Sequence, residues 1–357
     1  IMVFLLVFHN RKTVSIVALS CIGFGIISAL NSAAHGFDIK LVYFTISSFL
    51  FSGFICTAFA YPKSIPPILS GMVLGVVSSI ATGIALCSFG GCGFGNDPNF
   101  TQMVTDKRLY GFTAESSILA PQIIAILGLL IARMRTNLSV VYTCAIVILI
   151  AGLFATKSSQ LVWSLPVLGY SLLWSNGKHP KLLSVVAISI FVLAIFLPAL
   201  IDLVARAAQS LQGTTILGRD LNADIVASGL IRFTSINTGW DLIFENPFLG
   251  VGYDRAEILR RVSLIIPWYA KLGIDSYPVA RTVELGLPWL IFWVYGLIRM
   301  IIYANYASDP RSRELAFVLM LISLSAFTSS GYLGLFYLSA PFAFIFTRIH
   351  RVKHATK

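Results

Sequence analysis

Residues 218–254, GRDLNADIVASGLIRFTSINTGWDLIFENPFLGVGYD, lie inside the one long polar interval of an otherwise apolar chain. The contrast decides the fold class. Of 357 residues, 57% are hydrophobic and only 11% charged, where a soluble domain carries roughly 25% charged residues. A chain this poor in charge cannot cover itself with a hydrated surface. Its composition is that of a polytopic membrane protein, whose helices face lipid. The interval 205–282 is then the large loop that the bundle carries.

Working outward, apolar runs near the 20 residues needed to cross lipid fall at about 13–32, 40–60, 66–87, 117–134, 139–156, 159–174, 182–204, 284–303, 314–329 and 331–347. A partial run, IMVFLLVF, opens the chain and ends on His9-Asn10-Arg11-Lys12, like the tail of a further membrane helix. Backbone groups in lipid have no water to bond, so the spans must be helices. The expected fold is all-α: a transmembrane bundle of about ten to twelve spans with one large extracytoplasmic loop containing an amphipathic helix. Three regions follow: an N-terminal bundle over 1–204 with an outer loop at 88–116, the large loop at 205–282, and C-terminal helices with a basic tail over 283–357.

Charge sets the orientation. The net charge of +11 does not point to nucleic acid, because the basic residues gather in short loops. With Arg11 and Lys12 in the cytoplasm, fourteen of the 26 Lys and Arg residues fall on that side, Arg299, Arg311, Arg313 and the RIHRVKHATK tail among them. The short outer loops hold only Lys40, Lys107, Arg108 and Lys157, as the positive-inside rule requires. The long loop holds eight more, and long loops translocate regardless of charge.

Within that loop, Phe233, Ile236, Trp240, Ile243 and Phe244 recur at three- and four-residue steps, with Asn237, Asp241 and Glu245 on another face. This predicts an amphipathic helix from about Ser228 to Glu245. Asn246-Pro247 should end it, since the residue before proline disfavours helical angles. Gly250 and Gly252 then permit a tight turn. Arg219, Arg232, Arg255 and Arg281 are candidate anion ligands, because guanidinium offers a planar fork of donors suited to phosphate. Glu284 is expected to open the next apolar helix, where an ionisable group is a functional candidate by default. An internal pair with Arg281 is the plain alternative. Glu115, before an earlier span, is the matching acid of the first outer loop, with Arg108 upstream.

Of the five histidines, only His35 falls outside, in a short loop. A general base in the long loop must therefore be a carboxylate. No His, Cys or acid pair has metal spacing, so neither metal nor other cofactor is expected. Cys87 and Cys92 flank SFGG at the outer surface; a bridge and two free thiols both fit the sequence. Cys21, Cys56 and Cys144 read as packing residues.

The run 228–253, with Arg232, Asn246-Pro247 and Gly250-Val251-Gly252, resembles the arginine, amphipathic helix and Asn-Pro-x-x-Gly-x-Gly segment of the O-antigen ligase and Wzy-type polysaccharide polymerase superfamily. VELGLPWLIFWVYG resembles that family's acid-x-Gly helix, matching Glu284 and Gly286. RLYGFTAESSILA resembles its Arg-Gly-Phe-acid segment, matching Arg108, Gly111, Phe112 and Glu115. The resemblance implies a metal-independent, inverting glycosyltransferase in the bacterial inner membrane with its working loop in the periplasm. Its donor would be an undecaprenyl-pyrophosphate-linked oligosaccharide, its surroundings membrane lipid, and its partner a chain-length regulator protein. Arg108, Arg219, Arg232, Arg255 and Arg281 would hold the pyrophosphate and glycan, with Arg232 also catalytic and Glu115 or Glu284 the base. The family's ligase branch carries a histidine at the end of the large loop, where this chain has Ser276-Tyr277-Pro278. That favours a polymerase over a ligase; a lipid-linked glycan transporter is the reading from another class.

Overall fold

A computed structural model describes residues 25–87, 109, 116–134, 139–156, 168–174, 185, 189, 215–216, 219–220, 235–253, 274, 276–325 and 340–345. Helices dominate them. In chain order they are α1 (25–35), α2 (Ile39–Ala60), α3 (Ile65–Cys87), α4 (Ser116–Met134), α5 (Val140–Ala155), α6 (168–174), α7 (235–245), α8 (Tyr277–Leu285), α9 (Leu287–Tyr306), α10 (Pro310–Ser325) and α11 (Ala340–Ile345). A single 3-10 turn, Pro62–Ser64, leads into α3.

The expected all-α class needs one addition. Within the polar interval, β1 (Thr215–Ile216) and β2 (Arg219–Asp220) pair antiparallel, Thr215 opposite Asp220 and Ile216 opposite Arg219. The β-branched Thr215 and Ile216 suit a strand.

Among the described residues, three helical stretches are long and apolar enough to cross a membrane: Ile39–Ala60, Pro62–Cys87 and Leu287–Tyr306. At 1.5 Å per residue, 22 residues reach about 33 Å, the thickness of a hydrocarbon core. Leu119–Met134 and Val140–Ala155 are apolar but shorter. Their outward faces are as apolar as their inward ones. On α2, Ile39, Tyr43, Ile46 and Leu50 are exposed while Leu41, Phe44 and Ile55 are buried. On α5, Val140, Val141, Val147 and Phe154 are exposed. Helices apolar all round belong in lipid when they are not fully enclosed. The chain therefore has the marks of a membrane protein.

The chain divides into two compact, interleaved units: Ile1–Thr57 with Phe191–Arg299 and Ala326–Thr347, and Ala58–Ile190 with Met300–Ser325 and Arg348–Lys357. In the second unit α4 packs against α5 and α10, and α3 packs against all three. From Leu119 to Leu130 almost every apolar side chain of α4 is buried. Glycine permits the closest approaches: a Cβ at Gly152 would stand 2.6 Å from the Ile80 side chain, and one at Gly128 would meet Ser171 and Leu321. Small residues serve this purpose wherever helices pack in lipid. Arg133 forks onto Glu314 through Nε at 3.2 Å and a terminal nitrogen at 2.7 Å.

Two expected boundaries move. The segment SDPRSRE, read as a flank, starts α10: the Asp309 carboxylate accepts from the Ser312 N–H at 2.8 Å and Pro310 takes the first helical position. This is the usual chemistry of a helix start. Arg299, placed by sequence at the cytoplasmic edge, lies about two turns inside the end of α9, and its Nε donates to the Phe344 carbonyl at 3.5 Å.

Candidate functional site

The candidate site lies wholly within the first unit. Helix α7 ends at Glu245, and Asn246-Pro247 opens the turn as expected. Its inward face is Ile236, Leu242 and Ile243, packed with Ile274, Val279 and Val283. Gly239 allows this closeness, since a Cβ there would stand 2.8 Å from Val279. Asn237, Asp241 and Glu245 face outward. Phe244 departs from the expected apolar stripe and is 75% exposed. The helical period explains the departure: at 100° per residue Phe244 projects about 20° from Asn237 and about 100° from Ile243.

The turn that follows locks onto the corner between α8 and α9. Val251 N–H donates to the Val283 carbonyl at 2.8 Å, and Leu287 N–H to the Pro247 carbonyl at 2.7 Å. Gly250 has φ 67° and Gly286 φ 83°, angles that L side chains rarely adopt. A Cβ at Gly250 would stand 2.5 Å from the carbonyl oxygens of Val283 and Glu284, and one at Gly286 would strike the Phe248 carbonyl. Each glycine thus lies against the backbone beside the other. The last carbonyls of a helix lack partners within it. Here Val251 takes that of Val283, while Asn31 of α1 donates its Nδ2 to Glu284 O at 2.9 Å and Leu249 O at 2.8 Å.

Beneath this corner lies an ion pair. Arg281 and Glu284, three apart on α8, join side chain to side chain, and Arg281 is only 4% exposed and Glu284 1%. The Arg281 guanidinium also faces three rings, Tyr277 at 4.7 Å, Tyr253 at 4.8 Å and Phe44 at 5.1 Å from their centroids. Burial opposes its charge. The Glu284 carboxylate and then the tyrosines outweigh that, so its pKa stands above the ordinary arginine value. Such a guanidinium is positive at every accessible pH. His35, at the end of α1, lies over Gly252: a Cβ there would stand 2.9 Å from the His35 Cβ and 3.0 Å from its ring.

Of the residues singled out by sequence, Arg281 and Glu284 are therefore brought together, in the internal pair held open as the plain alternative. Glu284 does not open the membrane-length helix. It lies in the last turn of α8, which ends at Leu285 because Gly286 at positive φ breaks the chain direction before α9 starts. Arg219 is placed by its backbone on β2. Arg108, Glu115, Arg232 and Arg255 lie outside the described residues, as do Cys92 and Phe233. Cys87 is disulfide-bonded; its partner lies outside the described residues. Among the described residues no three His, Cys, Asp or Glu side chains form a metal-holding group.

The sequence reading missed Asn31, His35, Phe44 and Tyr253 as parts of this corner. Asn31 had a faint signal, an amide near the end of an apolar run. His35 and Phe44 had none, since their partners lie some 200 residues away in sequence, and nothing in the sequence pairs Tyr253 with Arg281. No protein-family model, no curated protein and no solved structure matches the chain. The likeness to polysaccharide polymerases and ligases thus rests on its motif residues.

Proposed function

We propose that the chain is a polysaccharide polymerase that joins undecaprenyl-pyrophosphate-linked repeat units on the outer face of the inner membrane. The observation that carries this reading is the fit of two motifs from distant parts of the chain. The Asn246-Pro247-x-x-Gly250-x-Gly252 turn and the Glu284-x-Gly286 corner interlock backbone to backbone at the start of a membrane-length helix. The disulfide at Cys87 supports an oxidising compartment for that end of α3.

In this reading an acceptor hydroxyl attacks the donor's anomeric carbon. The bond from that carbon to the pyrophosphate oxygen breaks, and the electron pair leaves with the lipid pyrophosphate. Arg232, Arg219, Arg255 and Arg108 hold that leaving group, whose growing charge is where fixed donors gain most. The Arg281–Glu284 pair, being buried, positions the corner on which the loop rests. The hydroxyl proton goes to Glu115 or to His35, the exposed imidazole beside Gly252. With purified protein and lipid-linked repeat units, Arg232→Ala is expected to abolish the polymer ladder and leave single units. Arg232→Lys should fail as well if the planar fork is needed. A wild-type chain-length distribution from Arg232→Ala overturns the assignment.

One observation favours a second reading. A loop without histidine argued against a ligase, yet His35 reaches the loop's turn from another segment. A glycan ligase using the same donor then fits this corner equally well. Supplying lipid-linked units with and without a second acceptor separates the two, since a polymerase builds a ladder from the lipid-linked units alone.

A further inference from the structure

The backbone of the turn after α7 holds the corner, but the outward side chains of α7 and that turn stand clear of it, Trp240 apart, which is partly packed on the inner cluster. Phe244 and Phe248 are 75% and 74% exposed, and Leu249 is partly so. The Trp240 ring lies 6.2 Å from Phe244. Trp240 and Phe244 are four residues apart on one side of α7, and Phe248 follows in the turn, so the three exposed or partly exposed rings run on from one another as a ridge. Asp241 and Glu245 run beside it, also exposed, and the exposed Asn237 amide points within about 20° of Phe244.

The ridge cannot choose its own depth. The Pro247 carbonyl accepts from Leu287, the first residue of α9, and the Phe248 carbonyl lies against Gly286. The ridge therefore rides at the first turn of a helix long enough to cross a bilayer. The start of α2, also of membrane length, meets the same corner through Phe44 against Tyr253 at 5.7 Å. There Phe37, Ile39 and Tyr43 are exposed too. Further along α9, Ile291, Tyr295 and Ile298 continue an exposed apolar face. Aromatic rings collect where spanning helices leave the hydrocarbon, and amphipathic helices lie at that depth with apolar side chains down.

We propose that the Trp240–Phe244–Phe248 ridge seats in the headgroup–acyl boundary of the leaflet at which α9 begins, holding α7 along the membrane surface. The occupant is lipid, because the ridge adjoins two helix ends whose own outward faces are apolar. The proposal does not depend on the transferase reading.

The test uses the full-length chain in liposomes. Phe244→Cys, Phe248→Cys and Glu245→Cys are each made in a Cys144→Ser background, removing an exposed free thiol, and labelled with bimane. Phospholipids brominated near the headgroup end of their acyl chains serve as quencher. Labels at 244 and 248 are expected to lose most of their fluorescence, and the label at 245, about 100° around α7 from Phe244, to lose little. Equal quenching at all three positions, or none at 244 and 248, overturns the proposal. So does a contact between copies, seen as crosslinking through 244 with no quenching. If a labelled variant fails to fold, the intrinsic signal of Trp240 answers the same question. Wild type minus Trp240→Phe must show a component quenched by the shallow bromines, and its absence overturns the proposal.

Discussion

At the scale of single residues, the Arg281–Glu284 pair is costly to break and cheap to replace. Removing one member of a buried pair leaves an uncompensated charge and costs about 3–5 kcal/mol, while exchanging both for apolar groups is often neutral. Glu284→Gln is therefore expected to lower the melting temperature of the purified protein sharply. The double variant Arg281→Met with Glu284→Leu should recover most of the loss. A double variant as unstable as the sum of the two singles would show that the pair is not coupled. His35 is the opposite case, exposed and free of that burden. His35→Ala should leave the fold intact and slow chain extension by about 10²–10⁴-fold if its imidazole takes the acceptor proton. Parental turnover and an unchanged pH–rate profile would leave Glu115 as the base.

Among the elements, the turn 246–253 and the α8–α9 corner stand or fall together. Their glycines differ in what surrounds them, which makes the packing testable. Gly36, in the loop between α1 and α2, also has positive φ, at 92°, but nothing lies within 4 Å of a Cβ there. Gly36→Ala should cost only the backbone penalty, about 1–2 kcal/mol. Gly250→Ala carries the same penalty and also drives a methyl into two carbonyl oxygens. It should yield little folded protein by size-exclusion of detergent extracts, and similar recovery of both variants would contradict the interlocked corner. The turn was legible in sequence as Asn-Pro followed by spaced glycines. Its partner was not, because the reason for Gly250 lies in the backbone of Val283 and Glu284.

For the molecule as a whole, the three membrane-length helices and their apolar outward faces predict that the protein stays with the membrane pellet after alkaline carbonate extraction. Release into the supernatant would refute that placement. Composition and periodicity by themselves determined that the chain is helical and membrane-bound, and they located five of its apolar helices to within a few residues. Burying or immersing about 20 apolar residues in a row leaves the backbone no other hydrogen-bonding solution, so these features need no knowledge of neighbours. Which face of α7 turns inward was decided only by packing. Ile236 and Ile243 met Val279 and Val283, and Phe244 was left outside. The Phe44 ring over Arg281, the anchoring of the corner by Asn31 and the approach of His35 to Gly252 likewise join segments some 200 residues apart. Contacts at that separation leave no period in the sequence, because each side chain is fixed by a surface that only the folded chain creates.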